Sequence, residues 1–95
     1  MIKSFSLVKS KEKKCWSVYL LKCADETLYC GITTDVNRRI KEHNETARGA
    51  KYTRGRRPVS LVGFVKVNSR SNALKLEHKI KSFDRKSKIK YILDN

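Results

Sequence analysis

The chain is 95 residues long, enough for one hydrophobic core and too short for a second independent one. Hydrophobic residues make up 39% of it, and no uninterrupted apolar run approaches the roughly 20 residues needed to span a bilayer. Lysine and arginine total 23 against nine acids, a net charge of +14, so the expected partner is a polyanion bound in a salt-sensitive way.

Residues 1–14 read as a basic N-terminal arm in which Lys9, Lys11, Lys13 and Lys14 crowd together, with Phe5, Leu7 and Val8 able to anchor part of it. The segment lacks the apolar stretch and small-residue cleavage site of a secretory signal. The expectation is a soluble, cytoplasmic protein that makes no use of membranes. Residues 15–95 read as a single domain. Residues 15–22 are β-rich, Ala24, Asp25, Glu26 and Thr27 form a turn, and residues 28–32 supply a second strand, making a hairpin. Thr33, Thr34 and Asp35 are N-cap candidates for a helix running to about Asn44, with Val36 and Ile40 one turn apart facing the core.

Residues 49–58 read as a basic loop that holds Lys51, Arg54, Arg56 and Arg57, with Arg48 just before it. Residues 59–67 are the most strand-like segment of the chain. Ser69 or Ser71 can cap a second helix, whose Ala73, Leu76, Ile80 and Phe83 fall at helical spacing. Asp84 caps a third, shorter helix carrying Ile89, Ile92 and Leu93. The order β-β-α-β-α-α predicts an α+β fold, a small three-stranded antiparallel sheet flanked by helices. Cys15, Cys23 and Cys30, spaced by eight and seven, match no zinc pattern and read as free thiols acting as small hydrophobes in or beside strands.

Five pieces of the chain then fall into a familiar order. Ser17-Val18-Tyr19 and Tyr29-Cys30-Gly31 lie ten residues apart, followed by a helix with Arg39 and His43 four apart. The segment from Gly49 to Pro58 and the helical Ala73-Leu74-Lys75-Leu76-Glu77 complete the series. Together they resemble the GIY-YIG endonucleases, in particular the small stand-alone bacterial members, over about residues 16 to 83. Ser17 stands in place of the first glycine and Cys30 in place of the isoleucine, and neither change removes a reacting group. The resemblance implies a divalent-metal-dependent endonuclease, with Glu77 holding one Mg²⁺ or Mn²⁺ ion. It also implies that Tyr19 positions or deprotonates the attacking water, while Tyr29 binds phosphate or water beside it.

The residue chemistry is compatible with those roles. Hydrolysing a phosphodiester needs a positioned water, charge stabilisation at the phosphate and help for the leaving oxygen. Glu77 is the only carboxylate between Glu45 and Asp84 and sits at the border of an apolar stripe, where one carboxylate plus waters and phosphate can hold a hard cation. Its bland alternative is a solvated helix glutamate paired with Lys81. Arg39 and His43 share a helix face, the arginine suited to a forked phosphate contact and the histidine to proton transfer or to orienting a tyrosine hydroxyl. Arg38 points elsewhere, toward Glu42 or a nucleic-acid backbone.

For Tyr19 and Tyr29 to share a sheet face, the hairpin loop must contain an odd number of residues or a bulge. A phenol also needs nearby cations to lower its pKa before it can serve as a base. Lys51, Tyr52, Arg54, Arg56 and Arg57, with Arg38, are candidates for gripping a nucleic-acid backbone, and Tyr52 for stacking on an unpaired base. Trp16 reads as core. No helix-turn-helix or zinc-finger pattern supplies base readout, so the expected substrate is branched, flapped or single-stranded DNA in repair or processing, chosen by shape. Two other readings stay open, a non-catalytic module that binds DNA or structured RNA, and a small ribosome-associated basic protein. The sequence carries no signature of a particular oligomeric state.

Overall fold

A computed structural model describes residues 15–95, so the basic arm expected over residues 1–14 lies outside the described residues. Strand β1 (Trp16–Lys22) and strand β2 (Leu28–Thr33) form the hairpin, and β3 (Ser60–Val67) adds on the other side of β1. The sheet is antiparallel in the order β2-β1-β3, with β1 central. Helix α1 (Val36–Glu45) follows β2, and α3 (Arg70–Lys81) and α4 (Arg85–Asp94) follow β3. The expected α+β architecture and element order hold, with one addition. A short helix, α2 (Lys51–Arg54), interrupts the segment read as a loop.

Each longer helix begins where a short polar side chain can accept an otherwise unpaired amide. Asp35 accepts from the Arg38 amide at 3.0 Å, Ser69 from Asn72 at 3.0 Å, and Asp84 from Ser87 at 2.8 Å. Side chains alternate along β1 and divide the interior in two. Val18 and Leu20 join Cys30, Ala73, Ile80 and Ile92 in the larger cluster under α3 and α4, with Trp16 packed against it. Tyr19, Leu21, Cys23 and Val59 form a smaller cluster on the opposite side, which Tyr29 and Ile40 cover. Cys23 and Cys30 are buried, Cys15 is exposed, and all three are free thiols. Val36 is half-buried and lines a surface hollow with Ser17, Phe64 and Lys66, while Leu93 turns outward.

The hairpin settles the parity of the two tyrosines. Lys22 pairs with Leu28, so the loop is residues 23–27, five in number, closed by the Cys23 amide on the Thr27 carbonyl at 2.8 Å. Tyr19 pairs with Gly31 and Leu21 with Tyr29, which puts both phenols on the α1 side of the sheet. Glu26 takes up the left-handed conformation that the loop requires (φ 72°), and Arg85 donates to its carbonyl from α4.

Candidate active site

The site is assembled around Tyr19, which comes from the middle of the central strand and is 1% exposed. Its ring lies across Gly31 of the neighbouring strand. A side-chain carbon at that glycine would sit 2.5 Å from the Tyr19 hydroxyl oxygen, so only hydrogen fits. The hydroxyl oxygen is 2.8 Å from Nε2 of His43, a fully buried residue in the last turn of α1. Nδ1 of His43 in turn lies 2.9 Å from the hydroxyl of Thr53 on α2 and receives the Ala50 amide at 3.2 Å. Three elements distant in sequence thus meet through one imidazole. Gly49 allows this approach, since a side chain there would press on the His43 Cα at 2.8 Å.

Tyr29, on edge strand β2, is half-buried and is the phenol nearer solvent. Its ring centroid lies 6.3 Å from that of Tyr19 and 5.3 Å from the His43 ring, edge-on. Tyr52 stacks on Tyr29 at 5.9 Å, and the Arg56 guanidinium covers the Tyr52 ring at 3.9 Å. A base arriving to stack on Tyr52 would therefore meet a tyrosine already flanked by Tyr29 and Arg56. The charges of Lys81 and Arg39 favour the ionised Tyr29 phenol and that of Glu77 opposes it. The two phenols and the His43 imidazole meet, with the Arg39 guanidinium of α1 beside Tyr19.

Burial dominates the protonation of this cluster. It pushes the Tyr19 phenol well above its ordinary value, and the neighbouring Tyr29 adds to the rise, while the Arg39 guanidinium pulls only partly back. The lowered tyrosine that the base role requires is thus opposed by the desolvation of the buried ring. Tyr29 is raised as well, again chiefly by burial. His43 is pushed down to about 4 by burial and then by Arg39, so it is neutral at physiological pH. Burial also lifts the Cys30 thiol to about 11, which keeps it protonated behind the site.

Arg39 is held rather than free. It donates to Glu42 at 2.9 Å and to the Arg48 carbonyl at 2.9 Å, which aim the guanidinium toward Tyr19. Arg38 is more exposed and makes a looser contact with Glu42 at 3.6 Å. Glu77 is paired with Lys81 at 3.4 Å and its side chain is 19% exposed. The ion pair foreseen as the bland alternative therefore exists. Among the described residues no three His, Cys, Asp or Glu side chains gather as a metal cage. A single carboxylate suits a hard oxygen-seeking cation that keeps most of its waters, and such an ion would compete with Lys81 for Glu77.

The basic segment divides by use. Lys51 and Arg54 are exposed on α2. Arg56 binds Asp25 at 3.0 Å and the Tyr52 carbonyl at 2.8 Å, tying α2 to the hairpin loop. Arg57 donates to the His43 carbonyl at 2.6 Å and to the Thr46 carbonyl, which satisfies the open C-terminal end of α1. Sequence reasoning missed Thr53, Asn44, the Arg39–Glu42 pair and this capping role of Arg57. Asn44 brackets Val59, accepting from its amide at 2.7 Å and donating to its carbonyl at 3.0 Å.

A family model described as the GIY-YIG catalytic domain matches residues 15–90. The chain belongs to the GIY-YIG family. Proteins named UPF0213 protein are similar to it at 58% identity in Haloquadratum walsbyi (75% of this chain, 79% of the relative) and at 53% in Natronomonas pharaonis (81% and 89%). The solution NMR structure of a UPF0213 protein from Bacillus halodurans superimposes with a TM-score of 0.51 at 42% identity, covering 82% of each chain. The GIY-YIG domain is a nuclease domain, so family membership implies a nucleic-acid substrate. No helix among the described residues is long and apolar enough to cross a membrane.

Proposed function

We propose that this GIY-YIG chain is a divalent-metal-dependent endonuclease acting on DNA, with branched, flapped or single-stranded regions as its substrate. The observation that carries this reading is the packing of Tyr19, Tyr29 and His43 together beside the Arg39 guanidinium, in a chain of net charge +14. Glu77 would hold one Mg²⁺ or Mn²⁺ ion, which would supply charge neutralisation at the phosphate and a more acidic water. Arg39, preset by Glu42 and the Arg48 carbonyl, contacts a non-bridging oxygen as charge builds there. Tyr29, the more accessible phenol, orients water or phosphate. Tyr19 supports it from below, and any direct contact of Tyr19 with substrate requires neighbouring side chains to move aside. Lys51, Arg54 and Arg38 grip the backbone, with Tyr52 and Arg56 forming the rim. A cytoplasmic role in DNA repair or processing fits this chemistry.

The test is incubation of the purified chain with nicked, flapped and branched DNA in Mn²⁺ or EDTA. Metal-dependent cutting that falls at least a hundredfold in Glu77→Ala and in Tyr19→Phe, with binding retained, supports the enzyme. Tight salt-sensitive binding with no product in any metal supports instead a non-catalytic module on the same fold. That second reading draws on the Glu77–Lys81 pair, which already satisfies the acid.

A further inference from the structure

The hydrogens around His43 can be counted. The Ala50 amide hydrogen is fixed by its peptide plane and points at Nδ1 across 3.2 Å. A nitrogen that accepts there carries no proton of its own, so the single proton of the neutral ring is on Nε2. Nε2 is the atom 2.8 Å from the Tyr19 oxygen. The opposite assignment would bring two hydrogens head to head between Ala50 and the ring. The Thr53 hydroxyl has two acceptors in reach. One is the Ala50 carbonyl, to which it can donate at 2.9 Å and which already accepts the Thr53 and Arg54 amides at 3.0 and 3.2 Å. The other is Nδ1, at 2.9 Å. Thr53 and His43 are fully buried and Tyr19 is 1% exposed, so solvent has little chance to rearrange the chain of bonds.

We infer that Thr53 is a positioning residue for the candidate site: with the Ala50 amide it holds His43 as a hydrogen-bond donor to Tyr19, so the phenol keeps its proton. The polarity is the reverse of a relay in which the histidine strips the tyrosine. The phenol oxygen receives the imidazole N–H, and its own proton must be directed away from the ring. Tyr19 is then a neutral phenol, in keeping with the rise that burial imposes on it. The direction of this bond does not depend on the nuclease reading.

The experiment is a long-range proton–nitrogen correlation spectrum of the histidine side chains in the full chain at neutral pH, with His78→Gln to separate the two histidines. The expected result is a His43 ring protonated on Nε2 and bare on Nδ1, with slow exchange of the Nε2 proton. Thr53→Val should speed that exchange at least tenfold, and Thr53→Ser should restore it. Protonation on Nδ1 in the wild type overturns the inference, as does a Thr53→Val ring whose tautomer and exchange match the wild type. If Thr53→Val does not fold, the wild-type and Thr53→Ser spectra decide. A chain with the expected tautomer that cuts no DNA refutes the nuclease reading and leaves the bond direction standing.

Discussion

Gly31→Ala is the most informative single change. The new methyl carbon falls 2.5 Å from the Tyr19 hydroxyl oxygen and 2.7 Å from the ring carbon that bears it. Ordinary contact begins at 3.4 Å, so the ring must retreat by about 0.9 Å. Tyr19 sits on the central strand with 1% exposure, so its ring cannot simply swing out into solvent. Overpacking of this kind costs about 1–3 kcal/mol, and displacing the buried bond to His43 adds about 1 kcal/mol. The expected loss is about 2–4 kcal/mol, read as a lower urea midpoint at unchanged slope. Gly55→Ala is the matched control. Nothing lies within 4 Å of its added carbon, and its φ of −88° suits alanine. That change should be neutral or stabilise by up to about 1 kcal/mol through the unfolded chain. If Gly31→Ala stays within about 0.5 kcal/mol of the wild type, the tyrosine-over-glycine account of the motif is wrong.

Arg39→Ala should lower kcat far more than binding, because its contact strengthens as charge develops in the transition state; equal losses in both would reduce it to a backbone contact. Arg54→Ala should weaken DNA binding at every sequence and flatten the slope of log affinity against log salt by about one unit, as titrations at several salt concentrations would reveal. Arg57→Ala should instead lower the urea midpoint, because it uncaps α1 at the His43 and Thr46 carbonyls, and an unchanged midpoint would return Arg57 to the binding surface. His43 gives a pH dependence with a definite sign. Its native pKa is about 4 against 6.5 when unfolded, so between those values the unfolded chain takes up a proton that the native one refuses. Stability should therefore fall on acidification across that window, by about 3 kcal/mol in all. The drop should be much smaller in His43→Gln; equal pH profiles for the two would contradict it.

The elements were legible because their signals are local. Asp35, Ser69 and Asp84 each precede a helix and cap it, and the alternation of β1 sorts Val18 and Leu20 from Tyr19 and Leu21. Arg39 and Glu77 could be singled out by motif and by scarcity of acids; the structure puts Arg39 beside Tyr19 and pairs Glu77 with Lys81. What stayed hidden depends on contacts between distant segments. Thr53 is one polar residue between Tyr52 and Arg54, and nothing in its neighbourhood announces that it will be buried against a histidine ten positions earlier. The four residues of α2 are too few to carry a periodic pattern. Arg57 looked like one more cation in a basic run until the end of α1 was seen beside it. Side-chain pKa values were the least legible property, because the rise at Tyr19 comes from burial that only the folded packing creates.

The five-residue turn ties the chemistry to strand register. One residue added or deleted between Cys23 and Thr27 leaves the phenols where they are if the turn absorbs it and Lys22 still faces Leu28. If the turn keeps five residues instead, the register slips by one, and the Tyr29 phenol points into the layer beneath α3 with Cys30 in its place. Related chains can therefore vary in the length of this turn so long as the same strand residues stay opposite one another.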